Sequence, residues 1–384
     1  MAICFIEMVS LWRFAKMDNR LQKLASILVR YSTEVKPGHT VLIRSESLEA
    51  QPLVQAIFQE VYRAGALPVP FLTVDEKEVL TMEATDDLHL LEVPDPMYKM
   101  MAEQANVMIS IKASVNPRNL SQYHADKQAA IAKAAAVPSH IIMQRGSDGL
   151  ARWCVTQYPT KAFAQAAAMS QPQYEEFVLN ACKVHLDDPV AEWQAVDRFQ
   201  QRLVDHLVGK KHVHVRGANI DLKMSIEGRK FINANGKNNM PDGEIFTGPV
   251  ENSVSGWVKF TYPAYYRGNE VDGIELNFED GRVVKASAET NEPFLFSVLD
   301  FDAGSRYLGE FAIGTNRHIQ RFTGSILFDE KIGGTVHMAV GRGYSETGSK
   351  NDSQVHWDMI CDMRDGGEIL VDGELFYKNG EFLA

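Results

Sequence analysis

Apolar positions along this chain fall into two textures. In the first half they recur at helical spacing between short continuous apolar runs, and beyond Lys210 they form short β-type runs broken by glycine. "DNRLQKLASILVRYS", introduced by an Asp/Asn cap, predicts an amphipathic helix just after Met17. "HTVLIR" at 39–44 predicts a strand, "QPLVQAIFQEVYRAG" at 51–65 a helix with Pro52 near its start and Gly65 at its end, and "PVPFLTV" at 68–74 a second strand. Strand, helix and strand in that order make a right-handed βαβ unit and hence a parallel sheet. "NVMISIKA" at 106–113 adds a strand, and an alanine-rich helix around 125–136 leads to the apolar run "HIIMQ" at 140–144, so residues 17 to about 156 read as an open α/β layer. From Pro172 to about His206 the spacing of Tyr174, Phe177 and Val178, then of Trp193, Val196 and Leu203, predicts a helical bridge. Past Lys210 the runs "HVHVR", "DLKMSI", "GWVKFTY", "GIELNF", "GRVVKA" and "SILF" predict antiparallel strands, with Asp280–Gly281 as a hairpin turn.

A chain of 384 residues exceeds the ~250 at which single cores usually stop growing. The expected organisation is an N-terminal extension at 1–16, an N-terminal open α/β sheet domain with its helical bridge at 17–190, and a C-terminal α+β domain rich in antiparallel strands at 191–384. The opening "MAICFIEMVSLWRFAKM" is a poor signal peptide, because Glu7 interrupts the apolar run and positive charge follows it. Hydrophobic residues at 45% and charged residues at 23% are ordinary for a folded protein. A net charge of −11 supplies no basic footprint, which argues against nucleic acid and anionic membrane surfaces as partners. No apolar run approaches the ~20 residues of a membrane helix. Cys4, Cys154, Cys182 and Cys361 form no CxxC pair, which fits a reducing, cytoplasmic setting.

Several familiar chemistries are excluded by local context. The turn after the first strand, "RSESLEAQP", lacks the glycines of a dinucleotide loop, "GRGYSETG" at 341–348 has no apolar helix behind it, and Ser147 in "RGSDG" is no nucleophile elbow. Acidic residues and histidines in the second half are more informative. Glu244 follows a Pro-Asp-Gly turn in "NNMPDGEIFTGP", and Glu310 sits between Gly309 and an apolar segment in "YLGEFAIG". His337 in "GTVHMAVG" reads, taken alone, as a satisfied core histidine. His356 and Asp358 in "SQVHWDMI" project from one face of a strand, with Val355, Trp357 and Met359 on the other; a half-exposed strand accounts for that spacing as well as metal ligation does. Together, three carboxylates and two imidazoles can hold two divalent cations, the set hydrolytic two-metal sites use. His212 and His214 in "KKHVHVRG" form a competing HxH pair, but Lys210, Lys211 and Arg216 surround them and oppose cation binding.

"NNMPDGEIFTGP", "YLGEFAIG", "ILFDEKIGGTVHMAVGRGY" and "NDSQVHWDMI", in this order, resemble the thermophilic-type metalloaminopeptidase family, and the likeness extends over most of the chain from about Met17. The resemblance implies a two-domain homodimer with a pair of divalent metals, zinc, cobalt or manganese, that removes single amino acids from the free N-terminus of peptides. It implies metal ligation by Glu244, Glu310, His337, His356 and Asp358, with Tyr344 as the active-site tyrosine; the charges of such a site make Glu310 the candidate to take the proton of the attacking water, the alternative being that it serves mainly as a ligand. His356 follows Tyr344 by only 12 positions, shorter than in some members, which bears on the rim of the site. Two rival readings accompany this one. Proteins of similar fold hold a single iron with two histidines and an aspartate for ring-cleaving dioxygenation, which His337, His356 and Asp358 would suit. A non-catalytic member would have been free to lose one of the five ligands.

Overall fold

A computed structural model describes residues 18–120 and 122–383. The extension expected at 1–16, with Cys4, lies outside the described residues.

The first half builds a parallel sheet. Its strand order is β2 (Leu67–Leu72), β1 (Thr40–Ser45), β3 (Val107–Lys112), β4 (Arg152–Gln157) and β8 (Asn239–Met240), all pairs parallel. The helix Asn19–Ser26 starts where Asp18 accepts the Arg20 backbone N–H, and its Leu21, Leu24 and Ala25 are buried. It packs with the helix Gln51–Arg63 against Val41, Ile43, Val107 and Ile109. The last strand is contributed from far along the chain: β8 adds to the sheet edge four residues before Glu244.

Two local expectations fail. The helix expected around 125–136 runs from Ala125 to Ser147 through Pro138 and takes in "HIIMQ" at 140–144, so the next strand is β4. Proline costs the helix one backbone hydrogen bond, but Pro138 and Ile142 are buried, so packing holds the two segments together. "SILF" forms no strand. Ile326–Asp329 is a helical turn, with the N–H groups of Phe328 and Asp329 donating to the Ser325 carbonyl. Four apolar residues carry no period that could distinguish the two states.

The predicted bridge is two helices, Gln171–Ala181 and Pro189–Leu207, with Ser170 and Asp188 as their caps. Beyond it lie two antiparallel sheets. The larger runs β14 (Arg282–Ser287), β13 (Glu275–Glu279), β10 (Ser255–Lys259), β6 (Ile220–Ser225), β5 (His212–Gly217), β18 (Glu368–Val371), β19 (Glu374–Lys378) and β20 (Glu381–Phe382). Asp280 and Gly281, both at positive φ, make the turn between β13 and β14. The smaller runs β17 (His356–Asp362), β16 (Thr335–Gly341), β15 (Leu308–Gly314), β9 (Glu244–Thr247) and β7 (Ile232–Ala234). A two-stranded ribbon, β11 (Ala264–Tyr266) and β12 (Asn269–Val271), lies beside them.

The two large antiparallel sheets share one core. Phe311, Ile313, Val336, Met338, Val340, Trp357, Met359 and Cys361 from the smaller sheet join Val213, Val215, Leu222, Val258 and Leu276 of the larger. Each such side chain contributes roughly 1.5–3 kcal/mol on burial. Alternation along β15, β16 and β17 therefore commits every second residue to that core, and leaves the other face of the sheet for different use.

Candidate metal centre

The face turned away from the core carries the chemistry. Register fixes it: Glu310 on β15 lies opposite Ala339 on β16, which lies opposite Asp358 on β17, and His337 lies opposite Ala312 and Ile360. His356 pairs with Gly341, and Glu244 on β9 pairs with Gly314. Four adjacent strands thus supply five polar side chains, and Ala312, Ala339, Gly314 and Gly341 form the floor between them. At the two glycines a Cβ would meet backbone, 2.2 Å from the Ile332 carbonyl oxygen at Gly314 and 2.2 Å from the Val355 carbonyl oxygen at Gly341.

Glycine is required where backbones cross closely. Gly309 is the extra residue of a bulge between Leu308 and Glu310, and a Cβ there would lie 2.1 Å from the Arg342 carbonyl oxygen. The bulge re-aims Glu310 toward the cluster, a common use of such irregularities beside functional sites.

Atomic distances bring all five residues together. His337 Nε2 lies 3.4 Å from Glu244 Oε2 and 3.3 Å from Glu310 Oε1, and His356 Nε2 lies 3.5 Å from both Glu310 Oε2 and Asp358 Oδ1. Glu244, Glu310 and His337 are buried, whereas His356 and Asp358 are partly open. Donor atoms within 4.8 Å of one another form the sets Glu244–Glu310–His337 and Glu310–His356–Asp358, with Glu310 common to both. A third set, Glu330–His337–Asp358, brings in a carboxylate that the strand-based reading missed. Glu244 Oε2, Asp358 Oδ1 and His337 Nδ1 are buried with no hydrogen-bond partner. Unpartnered buried carboxylate oxygens are costly unless a cation completes them, so hard oxygen and imidazole donors in this arrangement fit divalent metal.

Behind the ligand face stands a second charged layer. Lys331, fully buried, contacts Glu330 and lies 3.5 Å from Glu244 Oε1 and 3.9 Å from Asp242 Oδ1. Asp242 also accepts the backbone N–H groups of Gly236 and Gly243. The sequence reading places Asp242 only in the Pro-Asp-Gly turn and assigns Glu330 and Lys331 no role. The signal present was a "DEK" run wedged between "SILF" and a glycine pair, where a solvated loop would not be flanked by apolar residues.

Protonation follows from the crowding of charge. Burial pushes the Glu244 carboxyl well above the usual range despite Lys331, and carries Asp242 up to about 6. Burial opposes charge on His337, but its bond to Glu310 and the nearby Glu244 and Asp358 hold it up at about 10. His356 is likewise raised, against its burial, by Asp358 and Glu310. Burial raises the carboxyls and neighbouring carboxylates raise the imidazoles, and in both cases a bound cation would displace the retained protons. Outside the ligand set, His356 Nδ1 lies 2.8 Å from the Arg342 carbonyl oxygen, to which it can donate while its Nε2 stays free for the cluster.

Tyr344 stands at the rim, 42% exposed, its ring packed on Phe246 at 5.4 Å and edge-on to His356 at 5.3 Å. Partial desolvation, then the charges of Glu310 and Asp358, push its phenol above the ordinary tyrosine range, so the hydroxyl keeps its proton. The short segment to His356 is tightly pinned. Asp302 accepts from Ser353 Oγ at 2.8 Å and from the Gln354 N–H at 2.8 Å, and Glu251 accepts the Lys350 N–H at 2.7 Å. The competing HxH pair does not join the centre: His214 Nε2 is engaged by Asp221 at 2.8 Å, and the depression of about 440 Å³ beside it shares no residue with the cluster.

Comparison with known proteins bears on the family and the fold. A family model described as thermophilic metalloprotease (M29) matches residues 17–382. Aminopeptidase 2 of Geobacillus stearothermophilus is 29% identical over 400 residues, covering 93% of this chain and 94% of its own length. The solved structure of wild-type AmpT from Thermus thermophilus has a TM-score of 0.84 at 23% identity, covering 96% of this chain and all of that one. That likeness establishes the mixed α/β fold. A dioxygenase acting on 2,5-dihydroxypyridine, from Pseudomonas putida KT2440, shares the fold more distantly, with a TM-score of 0.59 at 15% identity over 95% of this chain and 97% of its own. Among the described residues no helix is long and apolar enough to cross a membrane.

Proposed function

The chain belongs to the thermophilic metalloprotease (M29) family, and from that premise we propose an aminopeptidase that releases single residues from the free N-terminus of peptides, using two divalent cations. One ion would be held by Glu244, Glu310 and His337, and the other by Glu310, His356 and Asp358. The observation that carries this reading is the position of Glu310, whose two oxygens face different histidines at 3.3 and 3.5 Å. A single carboxylate shared between two donor sets is what a bridged pair of ions needs.

When bound, such a pair lowers the pKa of water from 15.7 toward ~7 and polarises the scissile carbonyl. The residues of the chain do the rest. Glu310 takes the proton of the attacking water and returns it to the departing amine. Tyr344 donates its hydroxyl hydrogen bond to the developing oxyanion, a contribution of ~3 kcal/mol where such donors are well placed. Residues 17–190 would act as scaffold and 191–384 as the catalytic part, in a cytoplasmic homodimer. Burial of Cys154, Cys182 and Cys361 as free thiols supports the reducing compartment.

The ring-cleaving reading needs His337, His356 and Asp358 around one iron. Donor sets within 4.8 Å pair each histidine with carboxylates and never the two histidines together, which favours hydrolysis. Dialysis against a chelator, then addition of cobalt, zinc or manganese, is expected to abolish and restore amino-acid release from aminoacyl chromogenic substrates. Glu310→Gln is expected to cut turnover at least ~10³-fold with the fold intact. Activity that survives exhaustive metal removal rejects the proposal.

A further inference from the structure

Lys331 seats a full positive charge behind the donor atoms, with no exposed side-chain surface. Its ammonium does not serve the two donor sets equally. It touches Glu330 and lies 3.5 Å from Glu244 Oε1, while Glu244 Oε2 faces His337 Nε2 at 3.4 Å. One carboxylate therefore carries Lys331 on one oxygen and offers the other to the Glu244–Glu310–His337 set. The Glu310–His356–Asp358 set has no ion pair with Lys331.

We infer that Lys331 makes the two metal subsites unequal, weakening the Glu244–Glu310–His337 subsite so that its ion is the exchangeable one. This rests on the two-ion reading above. The physical reason is charge and geometry together. An ammonium sharing a carboxylate with a divalent ion repels that ion and withdraws electron density from its ligand, and low-dielectric surroundings strengthen both effects. Lys331 cannot swing away, because its segment is held on both sides. The Asn316 N–H donates to the Lys331 carbonyl at 3.1 Å, and Phe328 and Ile332 pack into an apolar cluster with Tyr174 and Val178. Fixed in place, the charge also offsets Glu330 and Asp242, which it contacts or faces at 3.9 Å. The site is thereby prepared for one tightly held ion and one that comes and goes with supply.

Zinc or cobalt titrated into the metal-free full chain, followed by chelator competition and metal analysis, tests this directly. Wild type is expected to take up two equivalents in separate steps. His356→Ala should remove the tighter step and His337→Ala the weaker. Lys331→Met should tighten the second equivalent at least about tenfold, the difference that a unit charge one carboxylate away makes even at the dielectric of water. Lys331→Arg, which keeps the charge, should retain two separate steps. Should Lys331→Met not fold, the two histidine variants decide the order by themselves. Two ions of equal affinity, a reversed order in the histidine variants, or a second equivalent that weakens in Lys331→Met overturns the inference and leaves the two-ion reading standing. Saturation with a single ion overturns both.

Discussion

Replacing Gly314 by alanine tests whether the floor of the centre and the Glu330–Lys331 segment are locked together. Gly314 ends β15 opposite Glu244. A Cβ there would lie 2.2 Å from the Ile332 carbonyl oxygen and 3.1 Å from the Lys331 carbonyl carbon. Carbon and oxygen tolerate about 3.3 Å at closest, so the backbone at 331–332 must retreat by about 1 Å. Its φ lies outside the left-handed region, which leaves contact as the sole penalty. Retreat is opposed by Leu327, Phe328 and Ile332, which are packed on the helix Gln171–Ala181, with the Phe328 ring 5.3 Å from that of Phe177. Overpacking of this kind costs about 1–3 kcal/mol, and a 1 Å displacement of groups around the reacting centre costs on the order of 10²-fold in rate. The assay is kcat/KM on an aminoacyl chromogenic substrate at saturating metal, beside urea unfolding. Gly146→Ala is the control. It lies in the helix Ala125–Ser147, where the new Cβ meets the Trp153 ring at an ordinary 3.5 Å, and alanine there should be neutral or stabilising by up to ~1 kcal/mol. A Gly314→Ala protein with wild-type rate and unfolding midpoint would refute the coupling of β15 to the Lys331 segment.

Two further outcomes follow from the rim. Tyr344→Phe should lower kcat by ~10²-fold while bound metal per chain stays constant; unchanged turnover removes the tyrosine from the chemistry. Against slight desolvation, the Gln354 and Gly304 N–H groups and the Ser353 and Ser305 hydroxyls hold the Asp302 carboxyl down at about 2. A carboxyl held below its unfolded value of about 3.8 stabilises the fold above that pH, and the contribution fades as pH falls toward 2. Discounted for partial exposure, it is worth ~1 kcal/mol. Asp302→Asn should therefore be less stable by that amount at pH 7, with the gap closing near pH 2, and urea midpoints that differ by a constant amount across this range would contradict the linkage.

How much of this was legible depended on whether one segment contained the whole cause. The βαβ unit, the capped first helix and the Asp280–Gly281 hairpin were readable because periodicity and turn chemistry are local. So was the shared face of His356 and Asp358, since residues two apart on a strand point together whatever the partner strands do. "HIIMQ" and "SILF" misled for the same reason in reverse. Their conformations are decided by what they pack against, Leu42, Tyr98 and Met108 around Ile142 in one case and the helix Gln171–Ala181 in the other. The edge strand β8 was invisible, because two residues joining a sheet built some 80 positions earlier leave no pattern.

The centre shows the same division more sharply. Alternate positions along β15 read Glu310, Ala312, Gly314, and along β16 His337, Ala339, Gly341, a chemical group followed by two residues with little or no side chain. The glycines answer to close backbone approach, since Cβ atoms at Gly314 and Gly341 would lie 2.2 Å from the Ile332 and Val355 carbonyl oxygens, while Ala312 and Ala339 pair with His337 and Glu310 across β15 and β16. Lys331 and Asp242 carry no such mark. A charge that acts by sitting behind a ligand is defined by the distance between two loops, 242 and 331, and strand periodicity does not encode that distance. The residues proposed to hold the ions can thus be found from alternation along a strand, whereas the residue proposed to set how tightly each ion is held emerges only when the strands and loops are assembled.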